Sequence, residues 1–326
     1  MEQKNKADVR KVAIIGCGFV GSSTAFALMQ SSLFSEMVLL DVDRARAEGE
    51  AMDISHGLTF FSPMKIYAGD YDDIVDADII IITAGANQKP DESRLDLVHK
   101  NVAIFQSIIP EIAKRQCQGI LLIVSNPVDI LTCVAIKLSG FPENRVIGSG
   151  TVLDTARLKY LLGEYLGVDS RSVHAFIVGE HGDSELAAWS SATVSGVPME
   201  RFCEIRGYLP HDEAMDRIYH EVKMSAYEII DRKKATYYGI ATAVKRICEC
   251  IVRNEHSVLP VSGMLHGEYG LEHLCLSMPS IVGADGVEQI VPLSLSEEEQ
   301  TQLRTSADAL LDVIADINLD NMPRKR

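Results

Sequence analysis

The chain has 326 residues, 47% of them hydrophobic and 24% charged, enough to bury a sizeable core and long enough for two domains. Its formal net charge of -15 excludes a broad nucleic-acid surface, which needs clustered Lys and Arg, but leaves room for a local small-anion pocket. No apolar run is long enough to span a membrane, and the charged segment before Val12 does not read as a secretory leader.

The first predicted strand, 12–16, runs into Gly16-Cys17-Gly18-Phe19-Val20-Gly21 and then into a helix over 20–31. A GxGxxG placed between a buried strand and a helix fits a phosphate-binding turn. Gly16 permits the tight turn, Gly18 lets the backbone approach a pyrophosphate, and Gly21 allows close packing of helix on strand. The second strand, 37–42, ends near Asp41, 20 residues after Gly21. A carboxylate there accepts both ribose hydroxyls of NAD and repels the extra phosphate of NADP; it also fits a helix cap for the segment after Asp43.

Further apolar runs at 65–69, 77–85, 119–126 and 146–150 are continuous and rich in Val and Ile, as in strands covered on both faces. Six such strands with helices between them predict an α/β fold with a doubly wound parallel sheet (Rossmann) over 1–149. The segment 85–97 follows the fourth strand at the ligand-binding edge of such a sheet. It is polar and contains Pro90, so it reads as a mobile lid whose Arg94 polarises a carbonyl on closing, or as a plain solvated loop.

After residue 150 the pattern changes, and a second, mixed α+β substrate domain is expected over 150–326. A helix from Asp154 to about Leu166 carries Asp154 and, three residues on, Arg157. Taken alone, that spacing is better explained as an intrahelical surface pair. An extended stretch, 173–182, ends at His181 between Gly179 and Gly182. There an imidazole can face a cleft and exchange a proton with a carbonyl oxygen, Asp154 fixing its tautomer while Arg157 grips a carboxylate. Helices over about 211–231 and 235–253, strands near 257–265 and 274–282, and a helix over 296–318 complete the chain. The seven cysteines form no CxxC pair and read as reduced thiols, so a cytoplasmic protein with no metal site is expected.

The motifs GCGFVG (16–21), LLDVD (39–43), TAGANQKPDESRLDL (83–97), VSNPVD (124–129), SGTVLDTARL (149–158) and GEHGDSE (179–185), in this order, resemble the L-lactate dehydrogenase family within the wider lactate/malate dehydrogenase group. The likeness runs from about residue 11 to about residue 315. It implies NAD as cofactor, pyruvate and L-lactate as substrates and a homotetramer. By the same resemblance His181 is the proton donor and acceptor, Asp154 its orienting carboxylate, Arg157 the carboxylate clamp and Arg94 the lid arginine. Asn126 lies between nicotinamide and substrate, and Thr236 is in the pocket wall. Val20, Asp41, Arg46, Tyr71, Gly85, Ala86, Ser107, Val124, Ser125 and Ser149 match cofactor-lining positions.

Gln88 matches the residue that meets the variable end of the substrate. Malate-specific relatives carry Arg there; a neutral Gln strands a second carboxylate in a closed site, at a cost of several kcal/mol, and suits a methyl group. Malate dehydrogenase is the alternative within the class, and a catalytically silent binding protein on this fold the alternative outside it. Asp91 departs from the family's usual glycine, which bears on lid closure. Lys159 and His174 match positions that bind fructose 1,6-bisphosphate in regulated bacterial members, although Lys replaces the usual Arg and loses its bidentate fork. They fit an ordinary helix residue and strand residue about as well.

Overall fold

The computed structural model describes residues 10–86 and 93–319. Gln88 and Asp91 therefore lie outside the described residues. All six apolar runs form strands: β1 (Lys11–Ile15), β2 (Glu36–Leu40), β3 (Lys65–Ala68), β4 (Ile79–Ile82), β5 (Ile120–Ile123) and β6 (Val146–Gly148). They are mutually parallel in the order β3-β2-β1-β4-β5-β6, the doubly wound order that puts a ligand crevice where β1 and β4 diverge.

The continuous apolar runs follow from burial on both faces. In β4 the four consecutive isoleucines alternate: Ile80 and Ile82 join one core, Ile79 and Ile81 the other, and all four are fully buried. The first core lies under α3 (Arg94–Lys114), α4 (Val128–Ser139) and the C-terminal helix Glu297–Asp316. The second lies under Phe19–Met29 (α1), Arg44–His56 (α2) and Tyr238–Arg253.

The C-terminal half contains the expected elements and several that the sequence did not announce. Helix α5 spans Val152–Leu166, and α6 (Met199–Arg206), missed for its shortness, precedes α7 (Asp212–Lys233). Tyr238–Arg253 and Glu297–Asp316 are α8 and α9. Five two-residue strands, β7 (Val173–His174), β8 (Ile177–Val178), β9 (Leu186–Ala187), β10 (Thr193–Val194) and β11 (Val197–Pro198), are too short to leave an alternation pattern. The long strands β12 (Ser257–His266), β13 (Glu272–Gly283) and β14 (Gly286–Ile290) do not form a separate sheet. Instead β12 joins β6 antiparallel at Ser262 and Gly148, so that one nine-stranded sheet crosses from one half of the chain into the other. Gly148 is required there: a Cβ would sit 2.5 Å from Thr132 Oγ1 and 2.7 Å from Ser262 Cβ. No helix among the described residues is long and apolar enough to cross a membrane.

Candidate active site

The turn between β1 and α1 shows the tight bend expected at Gly16 and the close packing expected at Gly21. Gly16 adopts φ +102°, and a Cβ on it would lie 2.5 Å from the backbone N of Ala84. A Cβ on Gly21 would lie 1.8 Å from the carbonyl oxygen of Gly16, so only glycine lets α1 pack on β1 this closely. A Cβ on Gly18 would meet nothing within 4 Å. Gly18 is also the N-cap of α1, without a side-chain cap and without an acidic residue in the first turn, so the positive end of the helix faces open space. That cradle fits the pyrophosphate of a dinucleotide.

Beside it, Asp41 Oδ2 accepts a hydrogen bond from the Cys17 amide at 2.6 Å and Oδ1 from the Asp43 amide at 2.9 Å. Asp43, not Asp41, caps α2, through the Arg46 amide at 3.2 Å. Asp41 is thus tied to the glycine turn itself, and the helix-cap alternative falls to its neighbour.

The ends of β4 and β5 close the crevice. Gly85 and Ala86 follow β4; Val124, Ser125 and Asn126 follow β5, where Ser125 Oγ donates to the Ala84 carbonyl at 2.7 Å. Ser149 follows β6, and its amide donates to the Ile123 carbonyl at 2.8 Å. Asn101 on α3, which sequence reasoning missed, joins the two loops. Its Oδ1 accepts from the Ala86 amide and its Nδ2 donates to the Asn126 carbonyl, both at 2.7 Å. Nothing in its helical context distinguishes it; only its burial does. Val20 is in the first turn of α1, Arg46 in the first turn of α2, Tyr71 after β3 under the Arg115 guanidinium, and Ser107 is exposed on α3.

The catalytic candidates converge from separate elements. Asp154, buried on α5, receives Arg157 Nη1 on Oδ1 at 2.7 Å and faces His181 Nδ1 through Oδ2 at 2.6 Å. One carboxylate therefore holds the other two groups, and the pair that in sequence resembled a surface ion pair is a partly buried one. Turning Nδ1 to Asp154 leaves Nε2 for the cleft. The loop is fixed behind the ring. Gly179, at φ +92°, pairs with Ser277 of β13, and the His181 amide donates to Asp129 Oδ2 at 2.8 Å. Asp129, in the first turn of α4, also accepts from Ser277 Oγ at 3.0 Å. Sequence reasoning quoted Asp129 within a motif but gave it no role.

Burial opposes a charge on His181, but the Asp154 carboxylate outweighs it and the imidazole is raised to about 9. Asp154 is itself held below the usual carboxylate range: burial opposes its ionisation, and His181 and Arg157 prevail. A cleft of about 490 Å³ opens onto this group, lined by Asn126, Asp154, Arg157 and His181 together with Leu97 of α3 and Val222 of α7. Ser93 and Asp96 form a capping box that sets the start of α3 at Arg94, whose side chain lies outside the described residues. Thr236 lies in the loop between α7 and α8 and is not among the residues lining the cleft.

Glu185, unassigned by the sequence, also lines the cleft and places a carboxyl oxygen within 4.8 Å of donor atoms of both Asp154 and His181. That trio is a possible metal-ligand set, but the Arg157 guanidinium on Asp154 opposes a cation there. Lys159, half-buried on α5, has no acidic partner among the described residues, and burial lowers its amine. His174 is exposed on β7, against which α5 packs.

A doubly wound sheet with a glycine turn, and a histidine–carboxylate pair at its ligand edge, defines a dinucleotide-dependent dehydrogenase. The chain belongs to the lactate/malate dehydrogenase family: residues 10–148 match its NAD binding domain and residues 151–319 its alpha/beta C-terminal domain. It is 53% identical to an L-lactate dehydrogenase of Acetivibrio thermocellus over 97% of this chain and 99% of that one. It is 51% identical to L-lactate dehydrogenase 1 of Clostridium acetobutylicum over 94% and 98%. Among solved structures, the minor L-lactate dehydrogenase of Enterococcus mundtii in its ligand-bound form superposes with a TM-score of 0.92, at 44% identity over 95% of this chain and 98% of that one.

Proposed function

We infer that this chain is an NAD-dependent L-lactate dehydrogenase, reversibly converting pyruvate and NADH to L-lactate and NAD. The observation that carries the reading is Asp154 holding both His181 and Arg157 at the wall of one cleft. The glycine turn with Gly16, Gly18 and Gly21 would hold the pyrophosphate, and Asp41 the adenosine ribose. Bound there, the dinucleotide supplies or accepts a hydride. His181, charged through its contact with Asp154, donates a proton from Nε2 to the carbonyl oxygen of pyruvate and recovers it in reverse. Arg157 keeps part of its guanidinium for the substrate carboxylate, and Arg94 polarises the carbonyl. Asn126, pinned by Asn101, separates the two reactants, and Thr236 closes the pocket once the lid is shut.

Gln88 selects the methyl group of pyruvate. The test is a steady-state comparison of pyruvate with oxaloacetate, in the wild type and in Gln88→Arg. The wild type favours pyruvate, and the variant shifts towards oxaloacetate because the new guanidinium pairs with the added carboxylate. A wild type that prefers oxaloacetate defeats the substrate assignment.

The same reading divides the chain into a dinucleotide-binding part, 1–149, and a substrate part, 150–326, and makes it a cytoplasmic homotetramer activated by fructose 1,6-bisphosphate. Lys159 supports the last point, because a half-buried amine without a carboxylate partner among the described residues invites an anion. The expected result is a lower KM for pyruvate with the bisphosphate at about pH 6 and at about pH 8, and no such effect in His174→Ala. An unchanged KM at both leaves Lys159 and His174 structural.

A further inference from the structure

Glu185 is nearly fully buried, and among the described residues its Oε1 has no hydrogen-bond partner. It stands on the same wall as the proton-transfer pair, within 4.8 Å of it. A buried carboxyl kept so close to Asp154, with no ion pair of its own among the described residues, costs stability that a glutamine or leucine would not. We propose that Glu185 is a positioning residue for proton transfer, acting through the Asp154–His181 pair: its carboxyl sets the net charge that an incoming 2-oxo acid carboxylate meets.

The charged surroundings decide how it does so. From α5, Asp154 faces Glu185 with Arg157 beside it; from its own loop come His181 and Asp183; from α7 come Lys223 and Tyr219. Lys223 Nζ donates to the Asp183 carbonyl at 2.6 Å and its charge favours the ionised Glu185, while the Tyr219 hydroxyl donates to the backbone carbonyl of Glu185. Behind the ring, Asp129 is held by the His181 amide and Ser277. Burial first, and then the Asp154 carboxylate, push the Glu185 carboxyl up to about 8.

Ionising Glu185 adds one negative charge to a wall that already holds the Asp154 carboxylate beside Arg157 and charged His181, so a neutral Glu185 favours entry of a monoanionic 2-oxo acid and an ionised one opposes it. Pyruvate reduction thus needs two protons in place, one on His181 and one on Glu185.

The inference rests on the pyruvate-reducing reading of the cleft, so one arm of its test is independent of turnover. In that arm the His181 ring is followed by NMR from neutral to alkaline pH. The wild type titrates in two steps, one of them reporting Glu185, and Glu185→Gln titrates in one. In the kinetic arm, kcat/KM for pyruvate is scaled to each enzyme's own maximum. The wild type falls as a two-proton process above about pH 9, Glu185→Gln as a one-proton process, and Glu185→Asp regains the second proton. By about pH 10, two units above the Glu185 value, the wild type has lost roughly a hundredfold more of its maximum than the glutamine variant. A single-step wild-type titration, or a glutamine variant that keeps the two-proton fall, overturns the proposal. Lower activity with an unchanged profile also overturns it, since that marks a structural role alone. Two-step titration in an enzyme that does not reduce pyruvate keeps Glu185 in its role and removes the substrate reading instead.

Discussion

Asp154 illustrates how far residue identity alone reaches. Its spacing to Arg157 was legible, and with His181 it suggested a base held by a carboxylate; the burial that gives the trio its chemistry comes only from the fold. Since Asp154 is what raises His181, Asp154→Asn should move the alkaline fall of pyruvate reduction from the 8–9 region towards the ordinary histidine range near 6.5. The sign follows from the direction: the protonated imidazole is the donor, so reduction is retained below its pKa and lost above it. A pH profile of kcat/KM that stays in place contradicts this coupling. Asp41→Ala should weaken NADH binding and narrow the gap between NADH and NADPH, because one carboxylate both orders the Cys17 amide and repels a 2′-phosphate. Fluorescence titration with the two nucleotides checks it, and an undiminished preference for NADH is the contrary result. Asn101, Asp129 and Glu185 were not legible as site residues. Each gains its role from a partner far along the chain, and a lone polar residue in a helix or turn carries no mark of that.

Elements were more legible than residues, because the period of burial is written in the sequence. The four-isoleucine run of β4 and the glycine turn before α1 announce a parallel sheet and a phosphate cradle. The five two-residue strands left no such trace. The glycines of the turn separate packing from binding. Gly21→Ala places a methyl 1.8 Å from the Gly16 carbonyl oxygen and forces α1 away from β1; a loss of about 1–3 kcal/mol and a lower Tm are expected. Gly18 has φ -73° and open space around its Cβ position, so Gly18→Ala should leave Tm nearly unchanged while weakening NADH binding, the methyl standing where a phosphate approaches. Thermal unfolding beside NADH titration distinguishes the two. A destabilised Gly18→Ala, or one that binds NADH normally, contradicts the assignment of the cradle.

At the scale of the molecule, the change of pattern after residue 150 was visible but the continuity of the sheet was not. Strand β12 contacts β6 at one register position, Ser262 with Gly148, a join made by small residues that leaves no periodic signature. That join matters for function. It ties β13, which holds Gly179 and Asp129 through Ser277, to the sheet edge that presents the dinucleotide cradle. A dinucleotide bound at the cradle and the proton donor His181 would thereby be carried by elements of one continuous sheet, as a reaction requiring both within a few ångströms demands. The central claim is that His181 supplies the proton to pyruvate. Its most direct test is pyruvate-dependent NADH oxidation by the wild type and by His181→Asn, with NADH binding measured in parallel. The account predicts turnover in the wild type, a loss of roughly 10²–10⁴-fold in the variant and unchanged NADH affinity; wild-type turnover in His181→Asn would contradict it.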